Sequence, residues 1–183
     1  MAKVAADRYA EALFELAVEQ NCVQELFEEV KAAEEILDRN PEFCMLLTHP
    51  KISKEEKHEV VEKTFRNRAD DRLTGLLLVL VDKGRCAELR SVLDEFLAKV
   101  YEYLRIGKAT VTSATELSDT QKKSIEQKLL SQTDYKSFEM TFLVDEALIG
   151  GMTIRIGDRI VDSSIRSKLS KMAASLSKLQ LSV

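Results

Sequence analysis

The chain has 183 residues, 27 Lys+Arg against 31 Asp+Glu, a formal net charge of −4, and 45% hydrophobic and 32% charged residues. That mix belongs to a folded globular protein and excludes a disordered one, and so balanced a charge excludes a nucleic-acid binder that works by neutralising phosphates. Cys22, Cys44 and Cys86 are too few and too widely spaced for a disulfide framework and read as free thiols of a reducing compartment. The longest apolar run, Leu76 to Val81, falls far short of the ~20 residues a membrane span needs, and Met1-Ala2-Lys3-Val4 opens neither a signal peptide nor an Arg-rich transit peptide.

Helix follows helix in the first part of the chain. Lys3 to Gln20 is dense in Ala, Leu, Phe and Glu at helical spacing. Val23, Leu26, Phe27, Val30, Ala33 and Leu37 form one stripe of a second helix. Asn40-Pro41 predicts a cap and a first-turn proline opening a short helix through Leu47. Ser53-Lys54-Glu55-Glu56 is a capping box for a fourth helix running to about Asn67. Asp70 or Asp71 starts a fifth, which Gly84 stops in a left-handed conformation. Leu89, Val92, Leu93, Phe96, Val100 and Leu104 mark a sixth.

The texture changes near Gly107. Lys108 to Thr115 is β-branched and reads as a strand, and Ser118-Asp119-Thr120-Gln121 is a second capping box, opening a helix to about Ser131. Phe138, Met140, Phe142 and Val144 alternate with Glu139, Thr141 and Leu143 in a period of two, and Met152, Ile154 and Ile156 alternate with Thr153 and Arg155. Gly157-Asp158 predicts a tight hairpin turn into Arg159-Ile160-Val161. Ile165, Leu169, Met172, Leu176 and Leu179 form a closing amphipathic helix. The expected architecture is mainly α with a small α/β second domain: an N-terminal six-helix bundle over 1–105, then a β-α-β-β-β-α unit over 106–183. The two parts differ in charge, −6 for residues 1–105 and +2 for 106–183.

Catalytic constellations are poorly represented. Cys44 and His49 are five apart, as a thiolate–imidazole pair could be, but Cys44 leads into Met-Leu-Leu and reads better as core. Gly107-Lys108 lacks the earlier glycine of a phosphate loop, since that position is Glu102. Gly150-Gly151 with Gly157 leads into a strand and reads as structural turns. Two histidines and three scattered cysteines show no metal-ligand spacing, and no cofactor is expected.

Surplus apolar surface is the stronger signal. On a helical wheel Ala5, Ala6, Tyr9, Ala10, Ala12, Leu13, Phe14, Leu16 and Ala17 cover an arc of roughly 200°, about twice a core stripe. In the fifth helix Leu73, Leu76, Leu77 and Leu80 form one stripe, and Leu78 and Val79 fall outside it. Either neighbours on both sides bury these flanks, or one flank of each helix stays open as a groove for a partner helix.

The stretch Val144-Asp145-Glu146-Ala147-Leu148-Ile149-Gly150-Gly151-Met152-Thr153-Ile154-Arg155-Ile156-Gly157-Asp158-Arg159-Ile160-Val161-Asp162, continued by Ser163-Ser164-Ile165-Arg166 to Leu169, closely resembles the signature of the delta subunit of F-type ATP synthase. The mitochondrial relative is the oligomycin-sensitivity-conferring protein. Arg8-Tyr9-Ala10-Glu11-Ala12-Leu13-Phe14 and Asp82-Lys83-Gly84-Arg85 are similar to the same family, so the resemblance spans the chain. It implies a non-catalytic stator component, with no cofactor, small-molecule substrate or nucleic acid. It implies a groove between the first and fifth helices, including Tyr9, Ala12, Leu13, Leu78 and Val79, that holds the N-terminal helix of an alpha subunit. It also implies a second domain that binds the b subunits of the peripheral stalk through the closing helix and glycine-bearing strands. Gly150, Gly151 and Gly157 are expected as structural turns. The expected place is the cytoplasmic side of a cell membrane, reached only through the complex, rather than an organelle's inner membrane or thylakoid. A helix-binding adaptor of another assembly is the alternative, but it has no reason to carry the Val144–Leu169 motif.

Overall fold

The computed structural model describes residues 2–65 and 70–180, with side-chain surroundings over 5–65 and 70–173. The chain is mainly helical, with a small four-stranded mixed sheet, and divides into two compact units, Met1–Tyr103 and Leu104–Val183.

The first unit is built on α1 (Ala2–Glu19), α2 (Val23–Arg39), α3 (Pro41–Thr48), α4 (Lys54–Phe65), α5 (Asp71–Asp82) and α6 (Leu89–Leu104), whose last residue already belongs to the second unit. Its core is the apolar stripe of each helix turned inward. The stripe of α1 is Ala6, Ala10, Leu13 and Ala17, and its three alanines let neighbours approach closely. Against it pack α2 and α5. Leu26, Val30, Leu73, Leu80, Val92, Phe96 and Val100 are among the side chains wholly out of water. Phe27 and Tyr101 meet edge to face, with ring centroids 5.1 Å apart. Polar ties link the helices at the surface. Lys99 meets Asp7 at 3.0 Å and also Glu11, and Arg90 meets Asp38 at 2.6 Å.

The helix ends show how the sequence sets the boundaries. Glu56 N–H donates to Ser53 Oγ at 3.2 Å, and Ser53 N–H to Glu56 Oε2 at 2.9 Å, the reciprocal pair of a capping box. The expected end of α4 at Asn67 lies outside the described residues. Asp70 is the N-cap of α5 and accepts from Arg72 N–H at 2.8 Å. Gly84 has φ +65, and Arg85 N–H reaches Leu80 O at 2.8 Å, closing α5 in a Schellman turn. Asn21, φ 54, closes α1 the same way through Cys22 N–H to Ala17 O at 2.9 Å. Asn40 departs from expectation. Pro41 opens α3, but the Asn40 side chain turns back and donates to Ile36 O at 2.8 Å, closing α2 instead of capping α3.

In the second unit the strands are β1 (Ile106–Ser113), β2 (Ser137–Val144), β3 (Met152–Ile156) and β4 (Arg159–Asp162), with α7 (Asp119–Gln132) between β1 and β2 and α8 (Ile165–Gln180) at the end. Their order across the sheet is β2-β1-β3-β4, with β1 parallel to β2 and antiparallel to β3. Ala109, Val111 and Phe138 of the sheet meet Ile125 and Leu129 of α7 in the core, and Met140, Phe142, Met152, Ile154 and Ile156 pack against it. Ser118 and Gln121 form the expected capping box. β1 starts two residues earlier than its β-branched run suggests, directly after Arg105, which takes a left-handed φ of 55. Gly107 is therefore a buried strand residue. A Cβ there would lie 2.4 Å from the Phe138 ring, so glycine is what lets that ring cross β1. Val144, expected on the core-facing alternation, lies at the end of β2 and is 57% exposed.

Candidate functional site

The first candidate is the seam between α1 and α5. Arg72, in the first turn of α5, donates to Gln20 Oε1 at 2.8 Å and also touches Cys22 Sγ, both just past the end of α1. The two packed helices therefore run in opposite directions. The same guanidinium hydrogen-bonds Asp70 and holds its carboxyl below the usual carboxylate range. This fixes the N-terminal end of α5 against α1.

Along that seam each helix keeps an apolar flank beside its buried stripe. On α1, residues 5, 9, 12 and 16 follow one another at helical spacing. Ala5 and Tyr9 are half-buried, Ala12 is exposed and Leu16 is 43% exposed. On α5, Val79 is 42% exposed. The other flank of α1 is occupied, since Phe14 packs edge to face on Tyr103 of α6 at 5.5 Å.

The residues expected in the groove divide accordingly. Tyr9, Ala12 and Val79 lie on these apolar flanks. Leu13 is only 3% exposed and belongs to the core. Leu78 is half-buried and sits about 100° around α5 from Val79, on the side of Thr74 and Asp82. That side belongs to α4, where Lys54 Nζ donates to Asp82 O at 2.6 Å and His58 Nε2 meets Asp82 Oδ1 at 2.8 Å. Leu16 joins the flank without having been singled out, although it stood at the edge of the wide arc.

A second surface lies on the C-terminal unit. β4 is an edge strand whose four residues are all exposed, including Ile160 and Val161. On α8 Ile165, Leu169 and Met172 line one face at i, i+4 and i+7 and are all exposed. Leu176 and Leu179 lie where side chains are outside the described residues. The glycines set this region's geometry. Gly151 has φ +77, and a Cβ there would sit 2.5 Å from the Ser163 carbonyl oxygen. Gly150 O accepts from Ile165 N–H at 2.9 Å, so this turn runs beneath the start of α8. Gly157 has φ +55 and open space around it, so its conformation alone calls for glycine. Asp162 closes the junction, accepting from Ser164 N–H at 2.8 Å and Ser167 Oγ at 2.5 Å. Chiefly the Ser167 hydrogen bond pulls its carboxyl down to about 2.

Cys44 and His49 make no catalytic arrangement. Cys44 is half-buried on α3, while His49 is exposed with its Nδ1 accepting from Lys51 N–H at 3.2 Å. Among the described residues no group of His, Cys, Asp and Glu could hold a metal ion, and no helix is long and apolar enough to cross a membrane.

Residues 5–176 match the family model of the ATP synthase delta (OSCP) subunit. ATP synthase subunit delta of Lachnoclostridium phytofermentans is 47% identical over 181 residues, 99% of this chain and 100% of that protein. Proteins of the same name from Prochlorococcus marinus (strain MIT 9301) and Alkalihalophilus pseudofirmus are 34% and 33% identical, each over 93% of this chain and 94% of their own length. Among solved structures, a chain of the Toxoplasma gondii mitochondrial ATP synthase hexamer shares the fold, with a TM-score of 0.69 and 17% identity over 93% of this chain and 96% of its own.

Proposed function

The chain belongs to the ATP synthase delta (OSCP) subunit family, and from that premise we propose that two separate surfaces hold it in the synthase. It is a non-catalytic stator subunit, linking the catalytic head to the peripheral stalk so that proton-driven rotation is coupled to ATP synthesis. In our reading, helices α1–α6 form a bundle over 1–105 whose α1–α5 groove takes the N-terminal helix of the alpha subunit. The unit over 106–183, β-α-β-β-β-α in order, takes the ends of the b subunits along α8 and the glycine-bearing strands. The chain then reaches the cytoplasmic face of the membrane only as part of the complex.

The observation that carries the groove reading is the pair of apolar flanks on adjacent helices, Leu16 at 43% and Val79 at 42% exposure beside a closed core. A stator contact must stay shut under torque and needs no bond chemistry. Burial of apolar surface stabilises it by about 25 cal/mol per Å², and charges on the rim set orientation and partner choice. Val79→Asp places a charge where the bound helix excludes water. Calorimetric titration with an alpha-subunit N-terminal peptide should show affinity falling about 100-fold or more while the melt is nearly unchanged. Equal affinity in the folded variant would overturn the groove.

A further inference from the structure

We propose, resting on the groove reading above, that Arg72 is the positioning residue of this groove: its guanidinium clasps α5 to the end of α1 and sets the spacing of the two flanks that the bound helix must span.

Helix geometry puts the clasp on the groove side of both helices. Val79 follows Arg72 by seven residues, about 20° short of two full turns, so the two share one side of α5, about 10 Å apart along its axis. Arg72 Nη1 donates to Gln20 Oε1 at 2.8 Å, which fixes that side as the one facing α1. Gln20 continues the last turn of α1, its N–H donating to Leu16 O at 3.1 Å, so it stands one turn beyond Leu16. One hydrogen bond thus joins the Leu16 side of α1 to the Val79 side of α5.

The clasp is stiff because its members are held elsewhere too. Arg72 Nε donates to Asp70 Oδ1 at 2.6 Å, and the guanidinium also reaches Asp70 Oδ2, a fork-on-fork pair, and the Cys22 sulfur. Asp70 N–H donates to Glu29 Oε2 at 2.8 Å, so α2 holds the same corner. A groove kept at one width before the partner arrives spares binding the cost of ordering it. Without the clasp α1 and α5 sample other separations, and only the fraction at the right one binds. Arg90 supplies the contrast. It makes a tie of the same kind, to Asp38 at 2.6 Å and Leu37 O at 3.1 Å, but joins α6 to α2, away from both flanks.

The test is calorimetric titration of the full chain with the alpha-subunit N-terminal peptide, with thermal melts alongside. Gln20→Ala cuts the bond across the seam and keeps the Arg72–Asp70 pair, so it should bind about fivefold more weakly with a nearly unchanged midpoint. Arg72→Met should bind about tenfold more weakly and melt earlier. Because the two act through one bond, the double variant should bind no more weakly than Arg72→Met alone. Arg90→Met should melt earlier yet bind like the native chain. If Val79→Asp weakens binding but Gln20→Ala and Arg72→Met bind like the native chain, the groove stands and the role of Arg72 falls. Losses that add in the double variant, or an equal loss in Arg90→Met, also overturn that role. If Val79→Asp binds normally, the groove reading and the role of Arg72 fall together.

Discussion

The first unit keeps Leu26, Leu73, Leu80, Phe96 and Val100 wholly out of water and leaves few large apolar side chains at its surface, two of which, Leu16 and Val79, lie on the flanks of one seam. The second unit has a core of Ala109, Val111, Ile125, Leu129 and Phe138 and leaves Leu143, Val144, Ile149, Ile160, Val161, Ile165, Leu169 and Met172 exposed. A sheet covered by one helix encloses less than helices packed on several sides, and a small unit buries a smaller share of its surface. The first unit thus has a closed core with two apolar side chains exposed beside one seam, and the second leaves a larger share of its apolar side chains exposed. In the proposed reading these are two different kinds of joint, one for each end of the stator.

The sharpest break in that comparison comes from Leu13, 3% exposed, against Leu16, 43% exposed, on the same helix. Leu13→Ala should destabilise the first unit by about 3 kcal/mol through the cavity it leaves. Leu16→Ala should change stability by less than about 1 kcal/mol yet weaken the alpha-subunit peptide. Chemical denaturation with titration of each variant measures both. Equal effects of the two on stability would mean the flank is core.

Next is the junction under α8. Gly151→Ala forces a Cβ against the Ser163 carbonyl at positive φ and should cost the second unit about 3 kcal/mol, whereas Gly157→Ala, with open space around it, should cost about 1 kcal/mol. Amide exchange resolved by unit should show the loss confined to the residues after Leu104. A uniform loss across both units would mean that they unfold together.

Smallest is Asp162. Its carboxyl is lower in the folded chain, about 2, than the ~3.9 of an unfolded aspartate. The stabilisation it gives is therefore fully present above about pH 4 and is lost as pH falls through the folded value near 2. Asp162→Asn should remove that part of the acid dependence from the melt of α8 and leave the first unit's untouched. An unchanged acid profile contradicts the role of the Ser164 and Ser167 hydrogen bonds.

Much of this was legible because local chemistry wrote it. The boxes at Ser53–Glu56 and Ser118–Gln121, the cap at Asp70 and the stop at Gly84 each name a helix end through one side chain or one φ. Asn21, Arg105 and Ile149 hold positive φ without being glycine, so their turns, and the short 3₁₀ turn Glu146–Leu148, gave no such sign. In the groove, periodicity showed that α1 carries too much apolar surface but not where its neighbours stand. Leu13 looked like Leu16, and Leu78 like Val79, until α6 was seen to take one side of α1 and α4 one side of α5.

The central claim is that two surfaces hold two partners independently. A tagged full-length chain carrying Val79→Asp, used to capture subunits from a detergent-solubilised membrane extract, tests it directly beside the native chain. The account predicts that the native chain brings down both alpha and b subunits, while Val79→Asp loses alpha and keeps b. Capture of alpha undiminished, or loss of both partners together from a folded variant, would contradict it.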